Sequence, residues 1–184
     1  MIGPSNVADL PIIERLNYRN EFWWERAALD AFKRGRFFPI LDKEGDLYLA
    51  RFWLSPMIWR DGHFDSGDSL LLHWIRKADD DGALHDHPWD FTTRILNGAY
   101  VESSAQFAGC IAGEKVILGC PELHLRKIGD VIEHKADVPH RIDHVFGDCW
   151  TLVTTSPRKR EWGFYDENGV WVDYKTYLGQ RVNG

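Results

Sequence analysis

From about Asp46 to the end of the sequence, short β-prone runs follow one another with turn residues between them. The runs are rich in β-branched and aromatic residues, Gly, Pro, Asp and Asn separate them, and no helical periodicity lies in between. They are Leu47–Leu54, Ser69–Lys77, Phe91–Glu102, Lys115–Leu118, His124–Ile128, Arg141–Val145, Trp150–Thr155, Glu161–Tyr165 and Val170–Tyr174. Strands without crossover helices pair antiparallel, so the pattern predicts a mainly β sandwich or barrel. Within it, Asn168-Gly169 predicts a two-residue hairpin turn.

The first part of the chain has helical signals instead. Asp9 can cap a helix that starts at Leu10, and Asn20 can cap a second helix that runs through Phe32 and ends at Gly35. We therefore divide the chain into an N-terminal helical extension, residues 1–44, and a β-barrel domain, residues 45–184. The helices are expected to pack on the outside of the barrel.

Composition excludes several classes of partner. The net charge is −6 and the densest basic run, Arg158–Arg160, is short, which predicts no nucleic-acid partner. Apolar residues make up 44% of the chain with no continuous membrane-length run, which predicts no membrane span. Cys110, Cys120 and Cys149 fit neither a disulfide framework nor a zinc pattern, and no secretion signal precedes them. We therefore expect a soluble protein of the reducing cytoplasm.

Two histidines one residue apart, His85 and His87, form a metal-binding pattern. Residues i and i+2 of a strand face the same side, so both rings can bind one divalent ion. The best candidate for a third ligand is His140, which follows Pro139 at the end of the segment that opens with Gly129. Four other histidines have no such pattern and receive no role: His63, His73, His124 and His134.

Two segments resemble the sequence motifs of the cupin superfamily. Gly82–Gly98, spaced as Gly-x2-His-x-His-x10-Gly, is similar to the first motif, and Gly129–His140 is similar to the second. The run from His85 to Phe91 and the later Arg160–Tyr165 resemble uncharacterised cupin proteins of bacteria and their phages. The resemblance implies an RmlC-like double-stranded β-helix, or jelly-roll barrel, with one divalent metal ion bound by His85, His87 and His140.

The resemblance also implies a glutamate ligand shortly after the two histidines, but Phe91 occupies that position and Asp90 lies one residue earlier. A one-residue slip turns a side chain to the opposite face of a strand. Asp90 is therefore expected to orient an imidazole or to cap the turn, and it becomes a fourth ligand only if the backbone around Pro88 is irregular. His144 lies two pleats after His140 and could face the same cavity as a polar wall residue.

Three neutral imidazoles leave coordination positions open for water, substrate or dioxygen. Such sites are similar to those of thiol dioxygenases within the superfamily, so the leading hypothesis is a non-haem Fe(II) oxygenase that acts on a small polar molecule. A Zn, Mn or Ni isomerase or lyase and a non-catalytic small-molecule binder stay open, and Cu is a further possible ion. Candidate substrate contacts are Arg94, Arg141, Arg160 and Trp162. A homodimer is expected, because jelly rolls often pair.

Overall fold

A computed structural model of the chain describes residues 21–56, 58–60, 63–65, 69–79, 82–105, 107–111, 114–117 and 120–182. This part contains two helices, α1 (Trp23–Lys33) and α2 (Tyr174–Val182). Its strands are β1 (Phe37–Leu41), β2 (Leu47–Trp53), β3 (Ile58–Arg60), β4 (His63–Asp65), β5 (Leu70–Ile75), β6 (Phe91–Ser104), β7 (Phe107–Ile111), β8 (Glu114–Ile117), β9 (Glu122–Lys127), β10 (Val131–His134), β11 (His140–Thr155), β12 (Gly163–Tyr165) and β13 (Trp171–Asp173). The protein is a mainly antiparallel jelly roll with small helices, as the sequence predicted.

One seven-stranded sheet forms the frame of the molecule. Its order is β1-β2-β5-β11-β6-β10, and β9 pairs with the second half of β6. Strands β6 and β11 pair along nearly their whole length, with register shifts that bend them. Residues from β2, β5, β6, β10 and β11 meet in one buried cluster, so the sheet curls around a common interior. The other strands form the hairpins β3-β4, β7-β8 and β12-β13.

A bulge beside Gly98 reverses the side-chain alternation of β6, because Ile95 and Asn97 pair with the adjacent residues Thr151 and Trp150 of β11. Gly98 has a positive φ of 72°, and a Cβ there would lie 2.7 Å from the Asp148 carbonyl oxygen, so only glycine fits. Ile95 and Tyr100 lie an odd number of residues apart yet pack in the same interior cluster. Even-numbered residues therefore face the interior after the bulge, which turns Glu102 inward.

Helix α1 covers the outer face of the sheet. Ala28, Leu29 and Ala31 pack against the outer side chains of β2, β5 and β11, which include Phe52, Leu72, Trp74 and Trp150. The rings of Trp74 and Trp150 stack at 5.7 Å between centroids. Complete burial of a large apolar side chain contributes roughly 1.5–3 kcal/mol, so this layer is a substantial part of the core. The second predicted helix thus packs outside the barrel as expected, whereas Asp9, Asn20 and the first predicted helix lie outside the described residues.

Several boundaries differ from the sequence prediction. Strand β1 lies before residue 45 and pairs with β2, so the sheet begins within the segment assigned to the extension. The predicted runs Arg141–Val145 and Trp150–Thr155 are one strand, β11. The turn at Asn168-Gly169 belongs to a longer loop in which Asp166 Oδ1 accepts from the Asn168 and Val170 N–H groups. Across the described ranges, neither helix has the length and apolar character needed to cross a membrane.

Candidate metal centre

The His85-Asp86-His87 segment lies between the start of β11 and strand β12. His85 exchanges two backbone hydrogen bonds with His140, both at 2.9 Å, and the Asp86 N–H donates to the Gly163 carbonyl at 3.0 Å. The His87 N–H donates to the Ala136 carbonyl at 3.1 Å. Directly opposite residues of an antiparallel pair project from the same face, so this pairing places the His85 and His140 rings on one side. His87 joins them because it is two residues from His85.

The three imidazoles converge. Ring centroids are 5.1 Å apart for His85–His87, 5.1 Å for His85–His140 and 5.0 Å for His87–His140. One nitrogen from each ring lies within 4.8 Å of the other two, a spacing at which all three could bind one ion. The structure thus brings together the three histidines that the sequence predicted as ligands.

Glu102 and His134 complete the cluster, although the sequence prediction gave neither a role. Glu102 is 1% exposed, and its Oε1 accepts from His140 Nδ1 at 2.5 Å. Its Oε2 accepts from Arg126 Nε at 2.8 Å. His134 Nδ1 lies 3.6 Å from Glu102 Oε1, and His134 Nε2 is buried without a hydrogen-bond partner. A carboxylate therefore does enter the site, but from beyond the bulge at Gly98.

The Glu102 contact fixes the role of each His140 nitrogen. An ionised carboxylate only accepts hydrogen bonds, so Nδ1 carries the proton and Nε2 presents its lone pair to the other imidazoles. His140 Nε2 lies 2.8 Å from His87 Nε2. A second group that could hold an ion is Glu102, His134 and His140, in which Glu102 would be a ligand instead of the hydrogen-bond acceptor of His140. The hydrogen bond to Glu102 favours the three-histidine set.

Electrostatics keep His85, His87 and His134 neutral and Glu102 ionised. Burial, together with the charges of His140 and Arg51, lowers the pKa of His85 to about 3, and burial also lowers the pKa of His87 well below its usual value. Burial lowers the pKa of His134 to about 3. Burial alone would raise the pKa of Glu102, but His140, His134 and Arg126 together lower it to about 2. Neutral imidazoles are the form that binds metal ions.

Aromatic rings form one wall of the cluster. The ring of Phe91 stacks on His134 at 4.2 Å between centroids and contacts His87 edge-on at 4.7 Å. Phe91 and His134 are direct partners across β6 and β10, which explains the stacking. Phe164 lies 5.7 Å from the His85 ring. Apolar walls of this kind exclude water from a site.

Asp86 projects to the opposite side from the two histidines and is fully buried. It accepts from the Gly163 N–H at 2.7 Å and Trp171 Nε1 at 3.0 Å, and it pairs with Arg160 Nη1 at 2.8 Å. Burial raises the pKa of Asp86, against the opposing effects of these hydrogen bonds and the Arg160 charge. Arg160, a predicted substrate contact, is thus engaged by Asp86 and by the Ala136 carbonyl at 2.9 Å.

Asp90 contacts the loop after β10. Its Oδ1 accepts from the Ala136 N–H at 2.9 Å, and its Oδ2 accepts from Lys159 Nζ at 2.7 Å. These contacts match the turn-capping alternative of the sequence prediction rather than a position on an imidazole. Lys159 lowers the pKa of Asp90, so the carboxylate is ionised. Asp90 also borders a surface cleft of about 370 Å³ that reaches Phe91 and His134.

The remaining predicted substrate contacts lie away from the three imidazoles. Arg94 is exposed on the outer face of β6. His144 is exposed against Phe146, because a register shift between Ile142 and His144 reverses the alternation of β11. Trp162 stacks on Tyr174 of α2 at 4.7 Å. Arg141 Nε donates to Asp143 Oδ1 at 2.6 Å.

Comparison with known proteins gives structural likeness alone. No family model matches the chain, and no curated protein matches it in sequence. The crystal structure of Fe(II)-HppE with the alternative substrate (S)-1-HPP is 15% identical with a TM-score of 0.44, over 65% of this chain and 54% of that one. The DMSP lyase DddQ from Ruegeria pomeroyi DSS-3 is 15% identical with a TM-score of 0.48, over 80% of this chain and 72% of that one. KdgF from Halomonas sp. is 15% identical with a TM-score of 0.40, over 61% and 81% of the two chains.

The chain therefore spans about half the length of HppE. Likeness at this level says nothing about activity. The fold and the side-chain geometry together define a mainly antiparallel jelly roll whose interior contains three convergent histidines.

Proposed function

We propose that the protein is a metal-dependent cupin enzyme in which His85, His87 and His140 bind one divalent ion. The observation that supports this most is the convergence of three imidazoles, with one nitrogen of each within 4.8 Å of the others. Three inward histidines in a small interior are expensive to bury unless something satisfies them. The donor set fits a divalent ion of the first transition row.

Fe(II) is the favoured ion and oxidation of a small polar molecule is the favoured reaction. When bound by three neutral nitrogens, Fe(II) keeps its full charge and has open positions for a substrate and dioxygen. The chain's own residues supply the surroundings. Glu102 orients His140 through Nδ1, and Phe91 with Phe164 restricts the access of water to the rings. Zn, Mn or Ni in the same site would favour an isomerase or lyase instead.

Metal content tests the ligand set. Freshly purified protein is expected to contain close to one divalent ion per chain by elemental analysis, and His87→Ala and His140→Ala are expected to lose it, because three ligands become two. His144→Gln is the matched control, since His144 is exposed outside the cluster. Retention of the ion by both alanine variants would contradict the proposal.

Nitric oxide then separates redox from Lewis-acid chemistry. Protein loaded anaerobically with Fe(II) is expected to bind nitric oxide, a dioxygen surrogate, and to give the EPR signal of high-spin iron nitrosyl. Preferential retention of zinc over iron, or absence of the nitrosyl signal, would favour the isomerase or lyase. Binding of a small molecule without turnover under any of these ions would favour a non-catalytic role.

The remaining expectations concern assembly and location. We infer a small-molecule substrate, no nucleic-acid partner, a homodimer and a place in the cytoplasm. Sedimentation velocity tests the dimer, and a single monomeric species across micromolar concentrations would contradict it.

A further inference from the structure

A row of polar side chains crosses the interior face of the sheet. Arg51 on β2 lies directly opposite His73 on β5, and His73 lies directly opposite Thr151 on β11. Side chains at opposed positions share a face, so the three stand side by side. Two apolar rows flank them: Leu49, Ile75 and Cys149 on one side, and Trp53, Leu71 and Val153 on the other.

Every member of this row has an unsatisfied polar atom. Arg51 Nε, His73 Nε2 and Thr151 Oγ1 are each buried and have no hydrogen-bond partner. Buried polar atoms are satisfied in the great majority of cases. Three such atoms side by side on one face form a polar surface that a hydrogen-bonding molecule would satisfy.

The row faces the same interior as the candidate metal centre. The apolar row that contains Trp53, Leu71 and Val153 packs against Phe91, whose ring contacts His87. One small molecule can therefore be near the guanidinium and the imidazoles together.

Arg51 has no acidic partner among the described residues, whereas the other interior arginines do. Arg126 pairs with Glu102 at 2.8 Å, and Arg160 pairs with Asp86 at 2.8 Å. Burial lowers the pKa of Arg51 to about 10, so the guanidinium stays charged at neutral pH. Arg51 is partly buried and its Nε is fully buried, a position in which an arginine rarely lacks a counter-charge. The missing counter-charge is expected to arrive with the ligand.

We propose that Arg51 binds the carboxylate of a small substrate in the interior beside His85, His87 and His140. The guanidinium donates two parallel hydrogen bonds, which match the two oxygens of a planar carboxylate. Thr151 Oγ1 and His73 Nε2 supply further hydrogen bonds to the same molecule. The metal side of this site rests on the proposed function, whereas the Arg51 side does not. A divalent ion on neutral ligands would add to the Arg51 charge and strengthen the preference for an anion.

The test uses glycolate, its neutral analogue glycolamide, and methylphosphonate as probes. Each is titrated by calorimetry into the metal-free protein and into the Co(II)-loaded protein, where the visible spectrum reports changes at the metal. The variants are Arg51→Gln and Arg51→Lys, and the control is Arg34→Gln, an exposed arginine at the end of α1. Melting temperatures without ligand are measured for the same proteins and for Arg51→Met.

Wild type and Arg34→Gln are expected to bind glycolate and not glycolamide. Arg51→Gln is expected to weaken glycolate binding by about 10- to 100-fold, since hydrogen bonds to a charged group are lost. Arg51→Lys keeps the positive charge but loses the two parallel N–H donors of the guanidinium, so it should weaken glycolate binding less than Arg51→Gln. Without ligand, Arg51→Met is expected to melt about 2–4 °C above wild type, because an unpaired buried charge is removed.

Three results would overturn the Arg51 assignment. The first is equal glycolate binding by wild type and Arg51→Gln, or no glycolate binding by a wild-type protein that holds its metal. The second is tighter, Arg51-dependent binding of methylphosphonate, which would replace a carboxylate with a tetrahedral anion. The third is a ligand-free Arg51→Met protein that melts well below wild type, which would mean that Arg51 already has a stabilising partner. If the protein cannot be loaded with a divalent ion but still binds glycolate through Arg51, the proposed function is refuted and the Arg51 assignment stands.

Discussion

At the scale of single residues, the contact between Glu102 and His140 sets the chemistry of the candidate metal centre. It gives the Nδ1 proton a permanent acceptor and leaves Nε2 free to bind. Arg126 holds the other carboxylate oxygen, so Glu102 cannot rotate away without losing a second charge-assisted hydrogen bond. The ligand and its orienting carboxylate thus form one unit.

Replacement of Glu102 by Gln tests that unit. The amide is a weaker acceptor and leaves Arg126 without its counter-charge, so the metal dissociation constant is expected to rise about 10- to 100-fold. Competition with a chromogenic chelator measures it. Glu133→Gln, on the exposed side of β10, is the matched control and should leave the constant unchanged. An unchanged metal dissociation constant for Glu102→Gln would show that Glu102 does not contribute to metal binding.

The three histidines were predictable because their spacing alone places two on one face, and the Pro-His ending of the second motif marked the third. Glu102 was not predictable, because regular alternation from Phe91 turns it outward and only the bulge at Gly98 turns it back. His144 was placed near the cavity for the converse reason, since a register shift in β11 turns it out. Arg51 did leave a signal, because it is a charge within the apolar run Leu47–Leu54.

At the scale of elements, the β12-β13 hairpin supports the His85-Asp86-His87 segment from behind. The Gly163 N–H donates to Asp86, and the Tyr165 N–H donates to the Leu84 carbonyl at 2.8 Å. Most strands of the jelly roll were predictable from runs of β-prone residues. Strands β1, β3, β4, β7 and β10 were not, because each has only three to five residues and gives little periodicity of its own.

Gly163→Ala tests the hairpin. A Cβ at Gly163 would lie 2.1 Å from the Val172 carbonyl oxygen, so the two strands must separate and the hydrogen bond to Asp86 weakens. Loss of about 1–3 kcal/mol in the free energy of unfolding is expected, with weaker metal binding. Urea denaturation measures the change in the free energy of unfolding.

Gly179→Ala in α2 is the control for that experiment, since a Cβ there meets no atom within 4 Å. It should be neutral or slightly stabilising, because alanine favours a helix. Equal stability of Gly163→Ala and wild type would mean that the hairpin is not packed as described.

At the scale of the whole molecule, the interior contains several histidines that are neutral in the folded protein. Burial, helped by the Arg51 charge, lowers the pKa of His73 well below its usual value. In the unfolded chain the histidine pKa is about 6.5, so the unfolded chain binds protons that the folded protein does not bind. The free energy of unfolding is therefore highest above that pH, and it decreases as the pH falls below it.

His73→Gln tests this acid sensitivity. In metal-free wild type, the stability is expected to decrease by up to about 1.4 kcal/mol per pH unit for each such histidine below about pH 6.5. The variant should lose stability less steeply between about pH 7 and about pH 5, because one proton uptake is removed. Urea denaturation across that range gives the slopes, and His144→Gln, exposed, should follow wild type. Identical slopes for wild type and His73→Gln would show that His73 does not titrate on unfolding.

The segment from His85 to His87 has a consequence for how the chain tolerates change. Its two odd-numbered side chains turn toward the other imidazoles and its even-numbered one turns toward the C-terminal hairpin, and none of the three is exposed. Substitution of any of these three successive residues is therefore expected to disturb a buried contact. Random mutagenesis followed by selection for folded protein should leave this tripeptide nearly untouched, even though it belongs to no long strand.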